Sequence, residues 1–474
     1  ASVFICMLIS PLNHLITNID EFFTMTIVNL PFSHILHVTG GDFNPPLYYL
    51  LAKLAIKVLG TLGLDTLSTL KLASIVPYLL LIVVSATKIR NKYSWLTAGL
   101  FTLSVGVMSE FFTYFLTARM YSWAILFVVM AFIYFKDIIT KADLKSWILF
   151  TIFAILSAYT HYYAAITVGC LYLVLLYSYF YTGEDDFKMW GLSILAVFVS
   201  YLPWISSLLH QIQAIGTASS IAPVDMGLII QSLGVYGASG EVIFSILSIV
   251  VLIIIGIIYY NQTGSDDDLR FYILSGIGAF VLTIIIGIVL SIMINPMLLL
   301  RFLLPAAAVL WLVISIMINQ IEDKRLIAVS LVLVALLLVT GVGHIFTAEP
   351  LNNDVLSEIT QDNSSIVVLT NPKSAIYFIN IDDQCDLYCI NQSYIYGENV
   401  NVMHKLFDFK DITQEGIADL ASNNTNKNIY LITWGDADSY KNLKTEPVLN
   451  ENGLEILKIN TSGITPSGNE TSNY

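Results

Sequence analysis

The chain has 474 residues, of which 56% are hydrophobic and only 12% are charged, and its formal net charge is −13. The charged share is about half that of a soluble domain and the mean hydropathy is +0.74, so a soluble globular fold is excluded. A bilayer accommodates such a chain if backbone polar groups are satisfied within helices. The composition therefore predicts an integral membrane protein.

Apolar runs of about 18–22 residues, the length that crosses the hydrocarbon core, recur as far as residue 346. They lack the period-two alternation of a membrane β-barrel. Residues 1–9 are too short to span and are interpreted as the outer end of a first helix, with a signal peptide as the alternative. With this first helix, about eleven transmembrane helices are predicted. The other spans are 66–87, 93–109, 112–135, 146–162, 163–181, 189–209, 241–260, 271–292, 302–319 and 326–346, and 45–60 is predicted to be an interfacial helix.

The orientation follows from the basic residues of the short loops, since cytoplasmic loops are enriched in Lys and Arg. One set of loops holds ten of them: Lys88, Arg90, Lys92, Lys136, Lys141, Lys145, Lys188, Arg270, Lys324 and Arg325. The opposite set holds five: Lys53, Lys57, Lys71, Arg119 and Arg301. The first set is therefore predicted to be cytoplasmic. The loop 10–65 and the tail from 347 are predicted to be extracytoplasmic.

The predicted division is a transmembrane domain, residues 1–346, followed by a small extracytoplasmic α/β domain, residues 347–474, with a disordered end. No run in the second segment is long enough to span, and β-rich strings alternate with stretches of helical character. The β-rich strings are residues 365–370, 428–433 and 454–459, and a helical stretch is 412–421.

The tail is acidic. From Glu349 onwards it has seven Lys and Arg against eighteen Asp and Glu, which excludes nucleic acid and anionic headgroups as its partners. Cys385 and Cys389 lie close together in it. A disulfide is one interpretation of this pair in an oxidising compartment, and a metal pair is the other.

Ionisable residues at the edge of a membrane are costly, so those that remain are informative. The predicted outer face offers carboxylates for base chemistry and guanidinium groups for an anion, which is what a transferase with a lipid-phosphate donor needs. These residues are Asp20, Glu21, Asp42, Glu110, Arg119, His161, Asp225, Glu241 and Arg301.

Asp20 and Glu21 form the leading pair. Adjacent carboxylates point in different directions, so one would deprotonate an acceptor hydroxyl while the other holds the acceptor or a metal. The alternative is a solvated pair at a helix start, where Asp is a good N-cap residue. Asp42 stands in the string Gly-Asp-Phe-Asn-Pro-Pro-Leu-Tyr-Tyr at 41–49, where the prolines hold it at a rigid corner before a helix.

The order of these strings resembles the first outer loop of GT-C-fold glycosyltransferases. The closest group is the superfamily of protein O-mannosyltransferases and aminoarabinose transferases, similar to glycosyltransferase family 39. Four later strings also resemble elements of that family in the same order. They are Ala-Arg-Met-Tyr at 118–121, Thr-His-Tyr at 160–162, Leu-Pro-Trp at 202–204 and Arg-Phe-Leu-Leu-Pro at 301–305.

The resemblance implies a polyprenyl-phosphate sugar donor and an inverting displacement with Asp20 as general base. Glu21 would position the acceptor or donor. Arg119 and Arg301 would hold the lipid phosphate, because guanidinium forks match phosphate oxygens. Tyr121 and His161 would donate hydrogen bonds there. No cofactor is implied with certainty, and a divalent metal stays open.

The same residues admit plainer interpretations. Arg119 would snorkel to the interface, and His161 would be a packed polar residue. Asn44 stands where mannosyltransferases often have His and aminoarabinose transferases Lys, so the acceptor class, whether protein, lipid or glycan, is open.

Two other classes of function compete with the transferase. A polyprenyl-lipid or small-molecule transporter or flippase would also have many helices and outer-face charges. It would usually show an internal repeat, and the sequence has none that is convincing. A structural membrane subunit would not need paired acidic residues or arginines placed to bind a phosphate.

Overall fold

The structure of the protein is a computed structural model. It describes residues 19–347 apart from 65, 108, 142, 183–186, 219–220, 235–241 and 263–266, together with residues 354–370, 385–390, 409–434, 437–440, 442–451 and 454–460. By contacts, Pro31–Ala348 belong to a helical unit, and Leu15–Leu30 group with Glu349–Tyr474 in a second unit. The predicted domain boundary at 346/347 stays a prediction. The first helix predicted for residues 1–9 and the disordered end lie outside the described residues.

The described part of the chain up to residue 347 is almost entirely helical. Its α-helices are α1 Ile19–Val28, α2 Phe32–Gly41, α3 Leu47–Leu59, α4 Thr66–Val84, α5 Trp95–Val107, α6 Ser109–Leu116, α7 Tyr121–Lys141, α8 Leu144–Thr160, α9 Tyr162–Thr182, α10 Phe187–Tyr201, α11 Ile205–Ala218, α12 Met226–Leu233, α13 Val242–Gln262, α14 Asp267–Met293, α15 Leu304–Asn319 and α16 Lys324–Thr347. A π-helical turn, Ser85–Ile89, follows α4 and leads into Arg90–Lys92.

Seven helices among the described residues are long and apolar enough to cross a membrane, which confirms the polytopic helical class. They are Thr66–Lys92, Tyr121–Lys141, Tyr162–Phe180, Phe187–Gln213, Val242–Gln262, Asp267–Met293 and Leu300–Asn319. Two further predicted spans correspond to the shorter apolar helices Trp95–Val107 and Leu144–Thr160. The total of eleven stays a prediction.

The helices α7 and α15 form the centre of the helical unit, since both are buried along most of their length. Helix α15 begins with Pro305 and then Ala306, Ala307 and Ala308, all of them completely buried. Small side chains let neighbouring helices approach closely in a membrane. The loops that precede α7 and α15 are therefore held against the core of the unit.

Two predicted spans differ from the observed helices, one at its start and the other by an internal break. The span 112–135 begins only at Tyr121, because the chain leaves helical geometry after Leu116. The span 189–209 is divided at the 3₁₀ turn Leu202–Trp204, which contains Pro203. Proline removes a helical hydrogen bond, which accounts for this break. The segment 45–60 is observed to be helical, as α3, and its interfacial position stays a prediction.

The C-terminal unit is an α/β domain, as predicted. Its six-stranded sheet has the order β3-β2-β1-β4-β6-β5; β3, β2, β1 and β4 are parallel, and β6 pairs antiparallel with both β4 and β5. Two helices belong to the same segment. The elements are α17 Asp354–Gln361, β1 Ser365–Leu369, β2 Asp386–Ile390, β3 Lys410–Ile412, α18 Gly416–Asn423, β4 Asn428–Trp434, β5 Thr445–Glu451 and β6 Leu454–Ile459.

One face of this sheet is covered by α18, which packs Ile417 and Ala421 against the buried side chains of the central strands. Cys385 and Cys389 are free thiols, so the disulfide that the sequence left open is not formed. Cys389 is buried on β2, and this burial raises the pKa of its thiol to about 12. Such a thiol stays protonated and packs as a small apolar side chain.

Candidate functional site

Arg119 lies in the non-helical break between α6 and α7. Its side chain is only 4% exposed, and Nη1 donates a hydrogen bond of 3.0 Å to the hydroxyl of Tyr49. Tyr49 is completely buried in the first turn of α3, three residues after Pro46. Burying a guanidinium group is costly unless it is hydrogen-bonded. The aromatic hydroxyl therefore helps to hold a cation inside the protein rather than at its surface.

His161 lies between α8 and α9, and it is 3% exposed. Its Nδ1 accepts a hydrogen bond of 3.2 Å from the backbone N–H of Tyr163. A nitrogen that accepts carries no proton, so the neutral ring holds its proton on Nε2. Burial, followed by the positive charges of Arg119 and Arg301, lowers the pKa of His161 to about 3. The imidazole is therefore a neutral Nε2–H donor at ordinary pH.

Arg301 and Phe302 stand in the 3₁₀ turn Leu300–Leu303 that leads into α15. The guanidinium carbon of Arg301 lies 5.6 Å from the centre of the Phe302 ring. The Phe302 ring is 5.0 Å from that of His161 and 6.4 Å from that of Tyr121. Phe302 therefore connects the loop before α15 with the loop before α7 and the turn between α8 and α9.

The structure thus brings together the four residues that the sequence assigned to a lipid phosphate. Tyr121 is buried against His161 at 5.5 Å between ring centres, and both arginines act electrostatically on His161. Two cations near one buried ring repel each other, whereas a phosphate between them would be attracted. The cluster of Arg119, Tyr121, His161 and Arg301 is called the arginine cluster below.

Asp42 lies at the C-terminal end of α2. Its backbone N–H donates to the carbonyls of Val38 and Thr39 at 3.1 and 3.2 Å, and its Oδ2 accepts from Asn44 Nδ2 at 3.2 Å. The carboxylate is half-buried and acts electrostatically on Tyr162, the neighbour of His161. Asp42 is therefore held at the end of α2, and its catalytic role stays a prediction.

A chain of hydrogen bonds connects this corner with the turn that holds His161. Buried Gln211 of α11 donates through Nε2 to the Thr39 carbonyl at 2.8 Å, and its Oε1 accepts from the Tyr162 hydroxyl. That hydroxyl in turn accepts from Trp204 Nε1 at 3.3 Å. Sequence reasoning missed Gln211, because only the fold brings α11 against α2.

Gly40 explains how α2 and α11 come so close. A Cβ atom at this position would lie 3.0 Å from the Ser207 Oγ of α11, so a larger residue would need the Ser207 side chain to shift by a few tenths of an ångström. The glycine that precedes Gly41-Asp42 therefore lies in a close helix contact. This contact places the Thr39 carbonyl within reach of Gln211.

Asp20 and Glu21 lie in the first turn of α1, which groups with the C-terminal unit by contacts. Glu21 is completely buried, and Asp20 is half-buried. The Asp20 carbonyl accepts a hydrogen bond of 3.1 Å from Thr24 Oγ1. The roles of general base and acceptor-binding group for these two residues stay predictions.

Three further acids were predicted on the outer face. Asp225 accepts a hydrogen bond of 2.7 Å from the Leu228 N–H and so caps α12. Glu241 and the side chain of Glu110 lie outside the described residues. No group of three or more His, Cys, Asp or Glu within the described part is placed to hold a metal ion.

These features define a polytopic helical membrane protein with a cationic site in its loops and a small C-terminal α/β domain. No protein-family model matches the chain, and no curated protein matches it. Among solved structures, ArnT from Cupriavidus metallidurans bound to undecaprenyl phosphate superposes with a TM-score of 0.59 at 10% identity, over 98% of this chain and 97% of that chain. The apo state of ArnT gives a TM-score of 0.55 at 10% identity, over 94% of each chain. The chain therefore has the GT-C type of fold.

Proposed function

We propose that the chain is a membrane glycosyltransferase. It moves a sugar from a polyprenyl phosphate to a protein, lipid or glycan acceptor, with inversion at the anomeric carbon. The observation that carries this proposal is the arginine cluster, in which two guanidinium groups and a neutral Nε2–H donor share one buried, aromatic-walled region. The fold of ArnT, which was solved with undecaprenyl phosphate bound, supports the same class of lipid.

The donor phosphate would be bound by Arg119 and Arg301. A guanidinium group presents a planar fork of donors that matches two phosphate oxygens, and its charge persists at any ordinary pH. His161 adds a donor without adding a third charge, because its pKa is far below neutrality. The positive field would stabilise the phosphate as it leaves the sugar, so a general acid is not needed.

The acceptor hydroxyl needs a base, since an alcohol is a poor nucleophile. We assign this role to Asp20, with Glu21 positioning the acceptor or donor. Asp42 would contact the acceptor from its fixed corner. In this scheme the hydroxyl oxygen forms the bond to the anomeric carbon, the carbon–phosphate oxygen bond breaks, and Asp20 takes the hydroxyl proton.

The reaction would take place on the extracytoplasmic face, and the C-terminal domain would lie on that face too. The bias of ten basic residues against five in the short loops supports this orientation.

The proposed function is tested by incubating the purified full chain with a panel of polyprenyl-phosphate sugars. We expect one donor to be consumed, with release of the polyprenyl phosphate, and we expect the Arg119→Ala variant to consume it more slowly. Slow donor hydrolysis without an acceptor would still count as turnover. Tight binding of every donor with no consumption of any, even with candidate acceptors present, would contradict the transferase and favour a transporter.

A further inference from the structure

A second cluster of cations lies at the other end of α7 from Arg119. A small cavity there is lined by Lys88, Lys92, Tyr93 and Tyr272, with Ile89 and Ile133, and it is called the lysine–tyrosine pocket below. Fifteen residues of α7 separate Tyr121 from Lys136 at this end, which corresponds to about 22 Å along a helix axis. The pocket is therefore distinct from the arginine cluster.

The backbone at this pocket is unusual. Ser85–Ile89 form a π-helical turn between α4 and the short helix Arg90–Lys92. Such turns are rare, and they occur frequently at functional sites. This turn contains Lys88 and Ile89, two of the residues that line the pocket.

The charge at the pocket is positive. Lys92 Nζ lies 2.6 Å from Asp137 Oδ1, and Lys88 and Lys141 also act electrostatically on Lys92. The ammonium group of buried Lys136 lies 5.4 Å from the centre of the Tyr272 ring. Lys88, Lys92 and Lys141 therefore share the carboxylate of Asp137 among these residues.

The hydroxyl of Tyr93 is a second sign of a ligand. It is buried and has no partner in hydrogen-bond geometry within the described part of the chain, although the Tyr272 hydroxyl lies nearby. The Tyr272 hydroxyl itself donates to the Phe132 carbonyl at 3.2 Å. A buried hydroxyl in poor hydrogen-bond geometry is costly, so a phosphate oxygen at the pocket would give the Tyr93 hydroxyl a better acceptor than the Tyr272 oxygen.

We propose that the lysine–tyrosine pocket binds the phosphate headgroup of an anionic membrane lipid. A phosphate oxygen would accept from the Tyr93 hydroxyl and from the ammonium groups of Lys88 and Lys92. The position fits a lipid rather than a soluble anion, because the adjacent Trp95 is 64% exposed and lies 4.3 Å from the guanidinium carbon of Arg90. Exposed Trp beside Arg is typical of the headgroup level, and basic pockets between helices bind anionic headgroups.

The test measures thermal stabilisation of the detergent-purified full chain by phosphatidylglycerol, phosphatidylcholine or inorganic phosphate, each titrated separately. We expect phosphatidylglycerol alone to raise the unfolding midpoint. Lys88→Gln and Tyr93→Phe should each weaken its apparent affinity by about tenfold, the loss expected for one charge-assisted or buried hydrogen bond. Tyr93→Phe keeps the packed ring and removes only the hydroxyl, so a loss of affinity in this variant reports on the hydroxyl and not on misfolding.

The matched controls are Lys145→Gln and Lys188→Gln. Both side chains are exposed, lie outside the pocket and are predicted to be on the same face of the membrane, so they change the overall charge equally. Their affinity for phosphatidylglycerol should stay at the wild-type value. Equal losses of phosphatidylglycerol affinity in the pocket and control variants, or no loss in Tyr93→Phe, would show that the pocket is not the binding site. Equal stabilisation by inorganic phosphate would overturn the assignment to a lipid.

Discussion

The arginine cluster of the helical unit and the ion pairs of the C-terminal unit differ in what surrounds their charged side chains. In the C-terminal unit, Asp386 lies 2.7 Å from both Lys410 and Lys427. The first pair joins the starts of the neighbouring strands β2 and β3, and the second joins β2 to the residue before β4, on the other side of β1. In the helical unit, buried Arg119 shares a region with a second arginine, a neutral imidazole and aromatic rings.

The difference indicates which charges serve the fold and which serve a ligand. Opposite charges on adjacent strands stabilise a sheet directly. Two like charges gathered within a membrane protein destabilise it, and they persist where a function requires them. The arginine cluster is therefore the part of the molecule where an anion is expected.

The largest effect is expected for Asp20→Asn. Asn keeps the size and hydrogen bonding of Asp but cannot take a proton, so turnover should fall by about 10²–10⁴-fold while donor binding stays normal. Asp42→Asn should be milder if Asp42 mainly fixes the loop corner. Initial rates at saturating donor concentration measure the turnover of both variants. More than about a tenth of the wild-type rate in Asp20→Asn would refute the base, since that loss lies below the range for base catalysis.

A smaller effect, about tenfold on turnover, is expected for Gln211→Leu. The change removes one hydrogen-bond partner from the Thr39 carbonyl and one from the Tyr162 hydroxyl, which loosens the Asp42 corner. Donor affinity should not change, so the loss should appear in kcat.

Gln213→Leu is the matched control, because this glutamine is exposed on the same helix. Tyr162→Phe combined with Gln211→Leu should cost little more than Gln211→Leu alone, since both disrupt one chain of hydrogen bonds. Fully additive losses of turnover in the double variant would contradict the proposal that one chain of hydrogen bonds connects these residues.

The sequence predicts those features of the structure that depend on residues close together in the chain. Hydropathy predicts the membrane class, and the three β-rich strings correspond to β1, β4 and β6. Strands β2, β3 and β5 carry weaker local patterns and form because neighbouring strands pair with them. The break before Tyr121 was not predicted, because apolar composition continues through Phe115 and Leu116.

The candidate site shows the same limit. The short strings around Arg119, His161 and Arg301 predicted a phosphate site, and the structure brings these residues together. Phe302 and Tyr49 were visible in the same strings, but their contacts with His161 and Arg119 depend on how three loops meet. Gln211 had no local signal at all, since its partners are 172 and 49 positions away.

The acid sensitivity that arises from His161 is a separate effect, on stability rather than on turnover. Its pKa is lowered to about 3 in the folded protein, against about 6.5 when unfolded. The unfolded state therefore binds more protons between these values, so the stability is full above pH 6.5 and falls with decreasing pH, by at most about 1.4 kcal/mol per pH unit. Thermal unfolding between pH 4 and 7 should show a shallower slope in His161→Gln. An unchanged slope would show that this imidazole is not held neutral.

The smallest effect is expected for Asp386→Asn. Each of its ion pairs is partly exposed, and such pairs contribute at most about 1 kcal/mol each. Hydrogen exchange of β2 and β3 should become slightly faster, and turnover should stay at the wild-type value. A large loss of turnover would show that the charges of the C-terminal unit also take part in function.

The central claim, that the arginine cluster holds the donor phosphate, is tested most directly by equilibrium binding of undecaprenyl phosphate. Arg119→Ala and Arg301→Ala should each weaken binding by about ten- to a hundredfold, the loss of one charge-assisted contact. Lys at the same positions should weaken it less, because the charge is kept while the fork is lost. Lys57→Ala, which removes an exposed cation of α3, should bind as the wild type does. Wild-type affinity in both arginine-to-alanine variants would contradict the account.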